Sequence, residues 1–374
     1  MPDDRRPARS LYLHVGLQKT GTSYLQGAML ASRTALAEQG VDLVPPTKRR
    51  SYDVMLAVRG RYASDRDPDA DRATLRGFSQ QLADAPGPRA VYSQEMLAGA
   101  NPDQIARLLE ACGDREIHVV LTVRDLARQI PSSWQQSLQA GRSIGFRAYL
   151  RRLQAMEQSG SSDTPWINLD AVRVIEGWSA AAPPDRVHVV TVPPSGSPSR
   201  LLLERFCEVL DVDPSRVHPD DTPGNPSLGR VQAEVLRRVN AELPDDVRRH
   251  DVYGNVGKRF FAVQVLRPQE RRTILVPSRF RPWCEAVTER QVATLEQGGY
   301  RVVGSLADLR CRDEAFAEKD VVPSEGEIAA ASVTALADII ARRGRAEAKR
   351  RTGRIAARSR AWEHLRRVYR RFAR

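Results

Sequence analysis

Eight residues near the start of the chain, Gly16-Leu17-Gln18-Lys19-Thr20-Gly21-Thr22-Ser23, have the types and spacing of an anion-binding turn. They follow the apolar run Leu11-Tyr12-Leu13-His14-Val15 and open a stretch of helical character from Ser23 to Glu38. A glycine-bearing turn between a strand and a helix aims backbone N–H groups, and the positive end of the helix dipole, at one point where a phosphate or sulfate can sit. In a nucleoside-triphosphatase loop, GxxxxGK[ST], lysine follows the second glycine and the next hydroxyl holds magnesium. Here Thr22 takes that lysine position and Lys19 lies inside the loop. The glycine spacing of a phosphate cradle is kept without the residue that defines a Walker loop. The competing reading is a plain strand-to-helix turn whose glycines serve packing.

A second segment bears on the same chemistry. Ile117-His118-Val119-Val120-Leu121-Thr122-Val123 is a nearly continuous apolar, β-branched run of the kind a buried parallel strand shows. It ends in Arg124-Asp125, and Ser132 follows eight residues after the arginine. A guanidinium at a strand's carboxyl end can fork onto a dianionic phosphate, and a serine near a helix start adds a donor. Asp125 would also suit a Walker B magnesium site, a reading opposed by the preceding arginine and the displaced lysine.

Together the two segments resemble the sulfotransferase family. Its 5′-phosphosulfate loop is commonly written KTGTT or KTGTS, and its 3′-phosphate is held by an arginine after an internal strand and a serine eight residues later. The resemblance implies that Gln18, Lys19, Thr20, Gly21, Thr22, Ser23, Arg124 and Ser132 bind 3′-phosphoadenosine 5′-phosphosulfate (PAPS) as sulfuryl donor. It covers about Leu11 to Leu309 and is closer to bacterial and carbohydrate-type members than to small-phenol enzymes. The RKGxxGxWK segment that usually ends mammalian cytosolic members is absent, and Asn255-Val256-Gly257-Lys258-Arg259 matches it poorly.

Sulfuryl transfer needs charge neutralised at the leaving group and a proton removed from the acceptor hydroxyl. Lys19 is the candidate for the first task. For the second, Glu95 follows the run Ala90-Val91-Tyr92-Ser93-Gln94 and should stand at the active edge of a sheet, the position where several carbohydrate sulfotransferases carry a glutamate base. His14 has the better unperturbed pKa but lies within a strand, where a hydrogen-bonded core histidine is an equal reading. The resemblance implies an acceptor hydroxyl on a sugar, glycolipid or glycosylated metabolite. A P-loop kinase or NTPase, and a catalytically silent nucleotide-binding or membrane adaptor, are the alternatives.

Strands expected at 11–15, 41–44, 90–92, 117–123 and 187–192 alternate with helical patterns at 23–38, 104–111 and 201–210. This is the signature of an α/β fold, a central parallel sheet with helices on both faces, of the P-loop-like three-layer kind. Ligands in such sheets bind at the carboxyl ends of strands, where both phosphate segments fall. The polar segment from Thr47 to Arg76 reads as a surface excursion, and 142–178 as an insertion with its own helical period. Residues 220–227 read as a loop. We expect a polar tail over 1–10, the α/β domain over 11–310, a linker or helix over 311–341 and a basic tail over 342–374.

The chain has 374 residues, 41% of them hydrophobic, and no apolar run of membrane-spanning length. Without an apolar leader at its start, a cytoplasmic protein is expected. Cys112, Cys207, Cys284 and Cys311, like the six histidines, show no metal-ligand spacing, so no metal is expected. The net charge of +12 is concentrated: Arg342 to Arg374 holds fourteen Lys/Arg against two Asp/Glu, an excess equal to that of the whole chain. Within it Trp362, Leu365, Tyr369 and Phe372 recur at helical spacing between arginines. Such a helix can lie on an anionic membrane surface, at the inner face of a membrane, or dock its apolar stripe on the body. Nucleic acid is disfavoured as a partner because the body is neutral.

Overall fold

The computed structural model describes residues 9–60, 67–219, 227–269, 272–319 and 322–372; the side chains of 250, 251 and 353–372 lie outside that description. The elements run β1 (Ser10–Gly16), α1 (Thr22–Ala31), α2 (Arg33–Glu38), β2 (Val41–Leu43), α3 (Lys48–Arg59), α4 (Pro68–Asp84), β3 (Arg89–Ser93), α5 (Pro102–Cys112), β4 (Glu116–Val123) and α6 (Leu126–Leu138). They continue with α7 (Phe146–Gln158), α8 (Ala171–Trp178), β5 (Val187–Thr191), α9 (Leu201–Leu210), α10 (Arg230–Glu242), α11 (Asp245–Arg248) and α12 (His250–Tyr253). A π-helix (Gly254–Leu266), β6 (Val276–Pro277), α13 (Arg281–Gln297), β7 (Arg301–Val303), β8 (Phe316–Ala317) and α14 (Glu325–Phe372) complete the chain. Two compact units form: Met1–Trp134 with Phe146–Asn225 and Leu275–Val321, and Gln135–Gly145 with Pro226–Ile274 and Val322–Arg374.

The first unit is built on a six-stranded sheet of order β2-β3-β1-β4-β5-β7, every pair parallel. Its strands are nearly all apolar because both faces are covered. Side chains alternate between faces. Leu11, Leu13, Val15, Val119, Leu121 and Val123 share one core layer with residues of α3, α4, α5, α8 and α13. Tyr12, Val91, Val120 and Val190 share the other with Leu25 and Met29 of α1, Leu36 of α2, and Leu203 and Phe206 of α9. This is the doubly covered α/β fold expected from the alternation of strand and helix patterns.

Three local expectations need correction. Of the segment 47–76 the first part is not a surface excursion: α3 buries Val54, Met55 and Val58 in the core, whereas 61–66 lie outside the described residues and α4 up to Arg76 is exposed or half-exposed. The polar composition of α3 comes from one face of the helix, as in the Arg49–Asp53 pair at 3.1 Å, so averaging over residues hid a 3.6-residue period. The helix expected over 23–38 breaks at Ser32, whose Oγ accepts the His218 N–H at 2.7 Å between α1 and α2. The expected insertion contains α8, and Val174, Ile175 and Trp178 of that helix belong to the sheet's own core. Most of the loop expected over 220–227 lies outside the described residues.

In the second unit α14 buries Ile328 and Ala335. Its start is held by Arg238 to Glu325 at 2.6 Å and Arg272 to Glu327 at 3.0 Å. The basic stretch of 342–374 is helical to Phe372, and the stripe of Trp362, Leu365, Tyr369 and Phe372 lies outside the residues whose side chains are described. Among the described residues no helix is long and apolar enough to cross a membrane.

Candidate functional site

The loop from Gly16 to Gly21 leaves the carboxyl end of β1, which pairs with β3 on one side and β4 on the other. Lys19 has φ 66° and Gly21 φ 88°, both left-handed. For Lys19 this conformation costs roughly 1–2 kcal/mol, which the surrounding contacts must offset. A side chain at Gly21 would be strained by its φ and would also stand 2.4 Å from Leu202 Cδ2, so glycine is required there. Backbone that alternates in this way turns successive N–H groups inward, forming a concave anion seat. No side chain caps α1, and with the Tyr24 N–H turned back to the Gly21 carbonyl at 3.0 Å, the N–H groups of Thr22 and Ser23 are the ones left to face the same spot.

What holds the loop is a buried hydrogen-bond network beneath it. Thr20 Oγ1 donates to the Leu17 carbonyl at 2.5 Å and lies 2.6 Å from Thr122 Oγ1. Thr122 Oγ1 also reaches the Gly16 carbonyl at 3.0 Å, and the Leu17 N–H donates to the Thr122 carbonyl at 2.7 Å. Gln129, on α6, donates from Nε2 to the Gln18 carbonyl at 2.7 Å. The Thr20 and Thr22 side chains are therefore buried, and Ser23 is the exposed hydroxyl of the loop. Thr20 offers an anion its backbone rather than its hydroxyl.

His14 belongs to this network. Its Nε2 lies 3.2 Å from Thr122 Oγ1 and its Nδ1 2.8 Å from Ser93 Oγ, with the ring against Phe206. Burial pushes its pKa down to about 3, so it is neutral at physiological pH. With both ring nitrogens engaged and no exposed surface, it is placed as a support for the loop.

Arg124 leaves the end of β4 and comes to the loop, its Nη1 donating to the Lys19 carbonyl at 3.3 Å. Its Nε is buried with no partner in the described protein. Burial first, and the Arg128 guanidinium second, pull its pKa down to about 10, with Asp125 opposing. Asp125 does not neutralise it, because that carboxylate is already committed: Oδ1 caps α6 by accepting the Arg128 N–H at 2.9 Å, and Oδ2 accepts Arg128 Nε. Ser132 stands one turn beyond Arg128, within α6 rather than at its start, and its hydroxyl lies 3.5 Å from the Arg128 carbonyl.

Glu95 opens the 3-10 turn Glu95–Gly99 that follows β3. Gln26, on α1, donates from Nε2 to Glu95 Oε2 at 3.0 Å and to Ser93 Oγ at 3.2 Å. Glu95 and His14 are thus the two ends of one chain, Glu95–Gln26–Ser93–His14. Only the Glu95 end is half-exposed, and it lines a cavity of about 240 Å3 between α1, α3 and β3. Gln26, Thr122 and Gln129 were not singled out in the sequence. Thr122 carried a signal there, as the one hydroxyl in its strand, two residues before Arg124; the two glutamines carried none.

No family model matches the chain, and no curated protein matches it. Two solved structures align with it. A sulfotransferase from Alicyclobacillus acidocaldarius is 16% identical with a TM-score of 0.38, the alignment covering 65% of this chain and 100% of that one. The sulfotransferase domain from the curacin biosynthetic pathway is 15% identical with a TM-score of 0.32, covering 80% of this chain and 99% of that one.

Proposed function

We propose that the protein is a sulfotransferase that moves a sulfuryl group from PAPS to an acceptor hydroxyl. The observation that carries this reading is Arg124: a buried guanidinium with an unpartnered Nε, its charge left unneutralised by Asp125, set beside a second anion seat at the neighbouring strand end. An unpaired buried cation is costly, and the fold retains it where an anion would relieve it. Two such seats in one crevice suit a nucleotide with a phosphate at each end of its ribose.

When bound, the nucleotide supplies an activated sulfuryl group on a bisphosphate leaving group. The loop N–H groups from Thr20 to Ser23, together with Gln18 and Lys19, would hold its 5′ end, and Arg124 with Ser132 its 3′-phosphate. The Lys19 ammonium would offset negative charge as it develops at the leaving oxygen. Glu95, oriented by Gln26, would take the acceptor's hydroxyl proton as the new O–S bond forms and the old one breaks. His14, buried and neutral, would hold Ser93 and Thr122 in place.

Calorimetric titration of the full chain with adenosine 3′,5′-bisphosphate, beside Mg-ATP, tests this. Tight bisphosphate binding that Arg124→Ala abolishes supports the reading. Preference for Mg-ATP, or no binding of either, overturns it.

A further inference from the structure

The first part of α14 has one side packed within the second unit. Ile328 and Ala335 are buried there, Gln269 Nε2 donates to the Ala331 carbonyl at 3.4 Å, and Arg342 Nη2 donates to the Gln264 carbonyl at 3.0 Å. The opposite side carries Val333, Leu336 and Ile340, which are 66%, 58% and 71% exposed. Their spacing of three and four residues sets them on one face of the helix. Scattered apolar residues at a surface need no explanation, but these three stand on adjacent turns and are half of the six large apolar side chains exposed among the described residues. A helix resting its apolar stripe on its own body would bury this face, and the side that is buried is the other one.

Every residue over 343–352 is exposed, and five of the ten are Lys or Arg against the single Glu347. The backbone stays helical to Phe372. At 3.6 residues per turn, positions 355, 362, 365, 369 and 372 fall within about 60° of the direction of Val333. The sequence places Ile, Trp, Leu, Tyr and Phe at them. Arginine occupies positions 351 and 358 on the same face; its stem can lie along an apolar surface while its guanidinium stays in water.

An occupant of this face has to be apolar along the stripe and negative beside it. A second copy of the chain meets the first condition and fails the second, because each copy brings fourteen Lys/Arg and two Asp/Glu over 342–374 and pairing would set like charges together. Nucleic acid meets the second and gains nothing from Val333, Leu336 and Ile340. An anionic bilayer meets both, taking apolar side chains at the boundary between headgroups and acyl chains, with each basic residue beside it worth about fivefold in binding constant.

We infer that the Val333, Leu336 and Ile340 face of α14, continued by the basic stretch after it, lies on the surface of an anionic lipid bilayer and holds the protein there. The inference stands apart from the sulfotransferase reading, since it uses no residue of the nucleotide site.

The test is cosedimentation of the full chain, at physiological ionic strength, with vesicles of phosphatidylcholine alone and of phosphatidylcholine containing about one third phosphatidylserine. Binding to the anionic vesicles should be about tenfold tighter or more, and Val333→Gln/Leu336→Gln/Ile340→Gln should weaken it about tenfold or more. All three side chains are exposed, so the melting temperature of the variant should match that of the parent; should the variant not fold, Ile340→Gln alone serves, with a loss of about threefold. No binding to either vesicle, equal binding to both, or binding indifferent to glutamine overturns the inference. A dimer seen by analytical ultracentrifugation that the same substitutions dissolve also overturns it and gives the face to a second copy. Tighter binding to a short DNA duplex than to the vesicles, unchanged by glutamine, overturns it in favour of nucleic acid.

Discussion

Two polar clusters are buried in the same sheet, one at each end of its strands, and they differ in one respect. At the amino end His118 Nδ1 lies 2.9 Å from His188 Nε2, and His118 Nε2 lies 3.0 Å from Glu116 Oε1. Arg186 closes on Glu116 at 3.2 Å, and Tyr12 stacks on His118 with ring centroids 4.5 Å apart. The cluster satisfies itself. At the carboxyl end His14, Ser93, Thr122 and Thr20 are bonded just as fully, yet Arg124 beside them keeps a buried Nε without a partner. A closed network gives back the desolvation cost of its members and reads as structure; an open one carries an unmet demand that a ligand can meet.

If the carboxyl end is functional and the amino end structural, substitutions at the two ends should separate activity from stability. The largest effect is expected from Glu95→Gln, which should lower turnover by about 10²–10⁴-fold while leaving bisphosphate affinity within about twofold. Steady-state kinetics beside calorimetry measures both, and wild-type turnover would remove Glu95 from the mechanism. Next comes Arg124→Ala. Losing two charge-assisted hydrogen bonds should weaken bisphosphate binding about a hundredfold or more, whereas the melting temperature should hold or rise because an uncompensated buried cation is gone. A drop in both would make Arg124 a structural residue and erase the contrast.

Gln26→Leu should cost about tenfold in kcat with little change in KM, since it leaves the carboxylate present but unaimed. Partial recovery in Gln26→Asn, which keeps the amide, would separate orientation from packing. The last effect is on stability rather than activity and concerns pH. His14 is held at about 3 and His188 at about 4, in both cases chiefly by burial, against 6.5 when exposed. The unfolded chain then binds more protons than the folded one in that interval. Stability should be full above pH 6.5 and fall towards pH 4, by about 1.4 kcal/mol per pH unit for each histidine. Denaturation at stepped pH should show a shallower slope in His188→Gln with unchanged bisphosphate binding. An unchanged slope would mean that His188 is not the titrating group.

Much of the architecture was legible because parallel strands covered on both faces must be apolar at nearly every position. The runs at 117–123 and 187–192 stand out for that reason, and they fall on β4 and β5. What escaped were elements whose composition contradicts their burial. The chain around α3 is polar on average, yet Met55 and Val58 have no exposed surface, since only one helix face meets the core. For the site, the motif spacing named residue types but not directions. For Thr20 the motif names a residue in the loop, and only the structure shows that its side chain turns inward to Thr122. Ser132 reads as a helix-start serine, and α6 begins six residues earlier.

The amino-acid sequence alone determined the strand-turn-helix with its glycines, the class of fold, and which cations and carboxylates stand near strand ends. These are properties of neighbours within a dozen residues, where φ preferences and hydrophobic period act directly. Only the tertiary structure decided that Arg124 reaches the loop 105 residues away, that Asp125 is spent on Arg128, and that Gln26 aims Glu95. Each depends on which side chains from distant segments share a buried volume, and burial is what turns a charge left without a partner into chemistry.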